Sequence, residues 1–229
     1  MRRDLMRRHV FARAAASVLA LCIGTHERQP AHALDDEPEA AQRLFELVSG
    51  RRPSSSWSPT ERASIEALID DLAALRLPWS QAVARGKWRL AYLQPAMEGE
   101  RPPFLGLPFN EQFTIYSRSD LINVAELLGP SLEVRAAGAW REDDPDDVNT
   151  PKRYRTDVEQ GAICVAATIG RAEKANIGRA CAPLPISQRS ESYRVVESLY
   201  VGARVRVDRD INSGGTRVVQ VRVTSFSGR

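Results

Sequence analysis

Beyond position 32 the 229-residue sequence contains no histidine: His9, His26 and His32 are all there are. A chain shortened past that point has no Ser-His-Asp or Cys-His chemistry and no histidine-ligated metal. Any catalysis would fall to carboxylates, Lys, Tyr, Ser or Cys. Cysteine is nearly as sparse. Cys22, Cys164 and Cys181 form no CxxC pair and no zinc spacing. Two readings of Cys164 and Cys181 stand: small buried residues, or a disulfide between neighbouring strands in an oxidising compartment. There is no apolar run of about 20 residues, the length that spans a bilayer as a helix. No dinucleotide or phosphate loop and no internal repeat is visible; Gly161, Gly170 and Gly178 are too scattered for a loop.

The first 33 residues read as a targeting presequence. Arg2, Arg3, Arg7, Arg8 and Arg13 make a basic start, Ala14–Ile23 is a short apolar run, and Ala31-His32-Ala33 fits a small-residue cleavage site. Retention as an amphipathic helix is the alternative. Arg7-Arg8 ahead of the apolar run resembles a twin-arginine signal. Leu19–Cys22 is not read as a lipobox, because the residue before that cysteine should be small. Residues 1–33 carry six Arg against two acids, and the whole chain is +3, so the remainder is close to −1. The basic character thus belongs to the presequence, and the charge gives no support to nucleic-acid binding.

Two helices are expected next. Leu44, Leu47 and Val48 recur at helical spacing, with Gly50 placed as a C-terminal cap. In the second, Ser58 is an N-cap, Pro59 suits the first turn and Glu61 completes a capping box. Ile65, Leu68, Ile69, Leu72 and Leu75 form its apolar stripe, and Pro78 stops it. The two helices fall within 40–77. After Gly86 the period becomes two. Strands are expected near 87–94, 109–117, 120–128, 132–141, 152–159, 161–169, 175–182, 193–201, 203–209 and 216–224. Asn212-Ser213-Gly214-Gly215 reads as a hairpin turn. Many short sequential strands predict a mainly β fold, an up-and-down antiparallel barrel or sandwich over 86–224.

The stretch RGKWRLAYLQP, 85–95, fixes the expected interior. Alternation puts Trp88, Leu90 and Tyr92 on one face, and that apolar face should point inward. Phe113, Ile115, Val134, Val205 and Val207 are expected to line the same interior, which would hold an apolar ligand. Trp88 is expected to close one end, with Arg209 laid across its ring and Arg206 pointing the other way. The run 141–155, acidic then basic, lacks the spacing of a calcium loop and reads as a solvated hairpin loop. RPPFLGLPF, 101–109, is an apolar, proline-rich loop with two readings: packing over the barrel mouth, or a lid or foot whose Phe104, Leu105, Leu107 and Phe109 would enter a lipid surface.

The G-x-W of Gly86 and Trp88 with a late arginine resembles the lipocalin signature. Over 40–223 the chain resembles the plastid lipid-associated proteins, or fibrillins. The residues that carry this are SPTERASIEALIDDLAAL (58–75), GKWRLAY (86–92), LINVAELLGPSLEVRAAGAW (121–140), SLYVGARVRVDRD (198–210) and GGTRVVQVRV (214–223). The family's last segment reads Y-L-D-x-x-L-R-I-x-R-G. Tyr200, Arg206 and Arg209 match it; Gly202 stands where an acid is expected, and Asp210 replaces a glycine. The resemblance implies a lipocalin-like barrel associated with plastoglobules or thylakoids, in the stroma or the lumen. It implies binding of apolar lipids, prenylquinones or carotenoids, no cofactor and no assigned chemistry. A structural or assembly protein with a side-chain-filled barrel is the second expectation. A small lipid isomerase or cyclase is the third, and would need an inward carboxylate with a shifted pKa.

Overall fold

A computed structural model describes residues 37–52, 57–77, 81–94, 111–127, 131–143, 152–169, 176–184, 193–212 and 214–223. All lie within one compact unit, Ala33–Arg229. The presequence and the 101–109 loop, with Phe104, Leu105, Leu107 and Phe109, lie outside the described residues.

Helix α1 spans Glu39–Val48 and buries Ala41, Leu44 and Val48. It ends through Ser49 in helical geometry, and Gly50 has no positive φ, so Gly50 is not the left-handed cap expected. Helix α2 spans Pro59–Ala74. Its capping box is present: the Ser58 hydroxyl accepts from the Glu61 N–H at 3.2 Å, and Glu61 Oε2 accepts from the Ser58 N–H at 2.8 Å. Ile65, Leu68, Ile69 and Leu72 are buried, but Leu75 is 46% exposed. The apolar stripe therefore stops one turn early, where Arg76 takes φ 47°. Pro78 lies outside the described residues. A single turn, α3 (Gln81–Ala84), leads into the sheet.

Nine strands follow: β1 (Gly86–Leu93), β2 (Glu111–Tyr116), β3 (Asp120–Glu126), β4 (Leu132–Glu142), β5 (Lys152–Ile169), β6 (Asn176–Leu184), β7 (Tyr193–Val201), β8 (Val205–Asp210) and β9 (Thr216–Arg222). The two strands expected over 152–169 are one. Gly161 does not break it; the irregularity is a bulge at Glu159, where Ala137 pairs with Gln160 and Gly138 with Val158. Gly138 is obligatory there, since a Cβ on it would stand 1.7 Å from the Asp157 carbonyl oxygen. Gly214 and Gly215, at φ 69° and 83°, make the expected β8–β9 turn.

All pairings are antiparallel, in the order β4-β3-β2-β1-β9-β8-β7-β5-β6, and β4 also pairs with β5. Eight strands thus form a closed cycle. β6 stands outside it, paired with the second half of β5 while the first half pairs with β7. Cys164 and Cys181 face each other across β5 and β6 and are joined in a disulfide, Cα–Cα 4.1 Å.

The sheet has two distinct faces, because directly opposed residues share a side. One face packs under α1 and α2: Val205 and Val207 of β8 and Val219 and Val221 of β9 meet Leu44, Val48, Ile65, Ile69 and Leu72. The other carries the aromatic cluster Trp88, Tyr116, Leu121, Trp140 and Tyr154. Two bulges serve the helix face. In β1 the register shifts between Leu90 and Tyr92, and in β7 between Ser198 and Tyr200. Each turns two consecutive residues, Ala91-Tyr92 and Leu199-Tyr200, into the helix-side core.

Candidate functional site

Trp88 is 0% exposed on the aromatic face. Gly86, at φ 125°, lets the chain bend into β1 just before it. The indole N–H donates to the Ala84 carbonyl at 2.8 Å. The cation over the ring is Arg222, 4.1 Å from ring centre to guanidinium carbon, opposite Trp88 in the β1–β9 register. That guanidinium also donates to three backbone carbonyls: Ala203 at 2.5 Å, Arg85 at 2.7 Å and Val83 at 2.6 Å. One side chain thus ties the end of β9 to the α3–β1 link and the β7–β8 turn. Burial, helped by the nearby Arg206 charge, pushes the Arg222 pKa down to about 10, so it stays cationic at neutral pH.

Arg209, expected in this role, is elsewhere. It lies on the helix-side face opposite Glu197 and donates to that carboxylate through Nε at 2.7 Å. Val205 and Val207 are likewise corrected: they are fully buried, but against the helices. Tyr92 is carried to the same core by the β1 bulge. Its hydroxyl donates to Glu66 Oε1 at 2.7 Å and its ring meets Trp57 edge-on at 5.8 Å. Phe113 and Ile115 pair with Arg89 and Lys87 on the face away from Trp88, where Lys87 Nζ sits 4.0 Å over the Phe113 ring. Leu90 and Val134 do share the Trp88 face.

That face is more polar than the sequence suggested. Arg206 is 0% exposed, its guanidinium carbon 4.2 Å from the Tyr116 ring centre and 5.0 Å from that of Tyr154. Its Nε donates to Asp208 Oδ2 at 2.6 Å, and its Nη2 donates to the Tyr154 hydroxyl. Tyr154 in turn donates to Asp208 Oδ2 at 3.0 Å. Burial works against the Arg206 charge, but Asp208, Tyr116 and Tyr154 together outweigh it and leave the pKa raised. Burial also pushes Tyr116 and Tyr154 up, so both remain protonated. Trp140 closes the cluster, 4.9 Å from Tyr116 and 5.9 Å from Tyr154 between ring centres. One layer on, Gln220 Nε2 donates to Thr114 Oγ1 at 3.0 Å, and Thr114 donates to Asn123 Oδ1 at 2.9 Å.

Further along the same face, on β3–β5, the residues become small or half-buried: Ala125, Val134, Ala136, Gly161 and Ile163. Large side chains therefore occupy the Trp88 end and small ones the other. The signal for this arrangement was present in VRVDRD: apolar Val205 and Val207 alternate with Arg206, Asp208 and Asp210, and the polar set faces Trp88.

Two carboxylate arrangements complete the site's surroundings. Glu37, just before α1, accepts from the Arg204 backbone N–H at 2.9 Å and from Arg204 Nε at 2.7 Å. A Cβ on Gly202 would lie 2.6 Å from Glu37 Oε1. Glu37 thus occupies the space into which a side chain at position 202 would project. Nearby Tyr200 is held up at about 12 by burial and by Glu37. On the face away from Trp88, Glu111, Glu126 and Glu133 stand side by side across β2, β3 and β4. Burial, with Glu133 and Glu111, raises the Glu126 pKa. This raised carboxylate is therefore not on the aromatic face, where a lipid isomerase would need it. No cluster among the described residues could hold a metal ion, and no described helix is long and apolar enough to cross a membrane.

Comparison with known proteins finds no matching family, no similar curated protein and no similar solved structure.

Proposed function

We propose that the eight-strand cycle is a lipocalin-like barrel, and that the chain is a fibrillin-like, plastid lipid-associated protein. It binds an apolar lipid or isoprenoid, of the prenylquinone or carotenoid class, at plastoglobules or thylakoids, and catalyses no reaction. The observation that carries this reading is the contrast along the aromatic face. At the Trp88 end, Trp88, Arg222, Tyr116, Trp140 and Tyr154 plug the interior. Towards β3–β5 the face turns to the half-buried Val134, Ala136, Gly161 and Ile163, the lining suited to an apolar chain, which gains by leaving water. Phe104, Leu105, Leu107 and Phe109 serve as the foot on the lipid surface.

The buried Arg206–Asp208–Tyr154 network favours a second reading, a structural or assembly protein with a filled barrel, for the plugged half. Lipid extraction of the native protein followed by mass spectrometry separates the two. A stoichiometric apolar lipid supports the first. Protein that carries no lipid and takes up none is the filled, structural form. The intact mass of the same preparation tests removal of residues 1–33; a mature start at Met1 would restore the three histidines to consideration.

A further inference from the structure

Four buried side-chain atoms on the aromatic face have no hydrogen-bond partner among the described residues: Ser198 Oγ, Arg206 Nη1, Asp208 Oδ1 and Gln220 Oε1. They form one patch. Ser198 and Asp208 are opposed across β7 and β8, and Arg206 and Gln220 across β8 and β9. Orphaned polar atoms are rare in native interiors and costly, so four in one patch point to a missing partner.

We infer that Ser198, Arg206, Asp208 and Gln220 form a head-group subsite for a long apolar ligand ending in an uncharged hydroxyl, and that the subsite disfavours a carboxylate. This rests on the lipid-binding reading above and specifies its ligand. Each orphan is oriented by its neighbours. Tyr154 bridges Arg206 and Asp208 through Asp208 Oδ2 and Arg206 Nη2, which leaves Oδ1 and Nη1. The Thr114–Asn123 pair holds the Gln220 amide by its nitrogen, which leaves Oε1. The patch therefore offers the two N–H groups of Arg206 Nη1, two acceptors and the Ser198 hydroxyl, which does both. A ligand hydroxyl matches this: it donates to Asp208 or Gln220 and accepts from Arg206 or Ser198. A carbonyl only accepts, and leaves both acceptors unserved. A carboxylate adds a buried charge where Arg206 is already neutralised by Asp208, and meets two more acceptors. The four atoms have no accessible surface, so the hydroxyl reaches them as the side chains packed over them part, with its chain trailing towards Val134 and Ile163.

The test uses the full chain and three C20 isoprenoid probes: geranylgeraniol, geranylgeranoic acid and the hydrocarbon phytane, titrated at pH 8 by tryptophan fluorescence. The alcohol should bind about tenfold more tightly than the hydrocarbon, as one or two net hydrogen bonds allow. The acid should bind no more tightly than the hydrocarbon. Ser198→Ala should weaken the alcohol by about fivefold and leave phytane unchanged. Asp208→Asn frees Arg206 and should raise acid binding by at least about tenfold; should that variant fail to fold, Ser198→Ala and the wild-type series decide. Phytane and alcohol binding equally, with Ser198→Ala silent, would overturn the subsite and assign the orphans to water, while leaving lipid binding intact. Acid binding as tightly as alcohol would overturn it too. No binding of any probe would remove both the subsite and the lipid-binding reading.

Discussion

Arg222 lies over the Trp88 ring with its guanidinium carbon 4.1 Å from the ring centre, and the two residues are opposed in the β1–β9 register. The expected partner, Arg209, is on the other face of β8, held by Glu197. The contact couples a buried aromatic surface to three backbone hydrogen bonds at one end of the sheet.

Trp88→Ala should therefore cost about 3–5 kcal/mol, the range for a large aromatic removed from a core. Arg222→Ala should cost about 2–3 kcal/mol through the lost stack and orphaned carbonyls. Denaturant melts of both single variants and the double variant should show losses well short of additive. Arg209→Ala should cost less, about 1–2 kcal/mol, because the buried Glu197 carboxylate keeps Arg153 at 3.6 Å. Additive losses at 88 and 222 would mean that the ring and the guanidinium act independently.

Gly138→Ala should be among the most damaging single-methyl changes in the protein. The added Cβ would meet the Asp157 carbonyl oxygen at 1.7 Å, its carbon at 2.7 Å and the Val158 Cα at 2.9 Å. Backbone has to move, and the cost should exceed about 3 kcal/mol. Thermal unfolding reads it; a melting temperature near that of the parent would show that the β4–β5 bulge yields easily.

Glu37 and Gly202 should compensate for each other. Glu37→Ala removes the acceptor from the Arg204 N–H and guanidinium, at about 2–3 kcal/mol for a charged hydrogen bond left unmade. Gly202→Asp alone should also destabilise, because its Cβ would stand 2.4 Å from the Tyr200 hydroxyl and 2.6 Å from Glu37 Oε1. The double variant should recover part of both losses, since the new carboxylate takes the vacated space. Chemical denaturation of the set checks this, and strictly summed losses would refute it.

Glu126→Gln should flatten part of the stability–pH curve. The raised pKa means that the folded protein holds this proton more tightly than the unfolded chain does. Its carboxyl thus favours folding when protonated, and stability falls as pH rises from the ordinary carboxylate range through the raised folded value. Burial drives the effect, Glu133 and Glu111 add to it, and Lys87 and Arg179 oppose it. The variant should gain about 0.5 kcal/mol at neutral pH by relieving like charges on adjacent strands. Urea melts from pH 4 to 8 should show the gain growing with pH; a loss at pH 8 would reverse the assignment.

Much of the secondary structure was legible because it depends on local chemistry. Ser58, Pro59 and Glu61 mark a helix start by side-chain reach alone, and Asn212 to Gly215 mark a turn by backbone freedom. Face assignment was not legible in the same way. Alternation in Val205-Arg206-Val207-Asp208 says which residues share a side, but not which side α1 and α2 will cover. The valines went to the larger apolar partner, the helices, and the polar set went with Trp88. Tyr92 was misplaced for another reason: a bulge consumes one residue without any turn chemistry to announce it. Phe113 and Ile115 inherited their wrong side from an apolarity rule that fails where both faces of a sheet are partly covered.

The bulges at Ala91 and Leu199 have a consequence for how the sequence can change. Each is a half-period phase shift in a two-residue repeat, placed where the strand passes from facing Trp88 to facing the helices. Deleting Ala91 would remove the bulge and restore strict alternation while leaving Tyr92 opposite Val219 in the helix core. Deleting Leu199 would likewise leave Tyr200 opposite Val207. One-residue insertions or deletions elsewhere in β1 and β7 reset the parity of everything between them and the strand end, whereas two-residue changes preserve it. The reading frame of these strands is counted in pairs, and the two bulges are its only permitted odd steps.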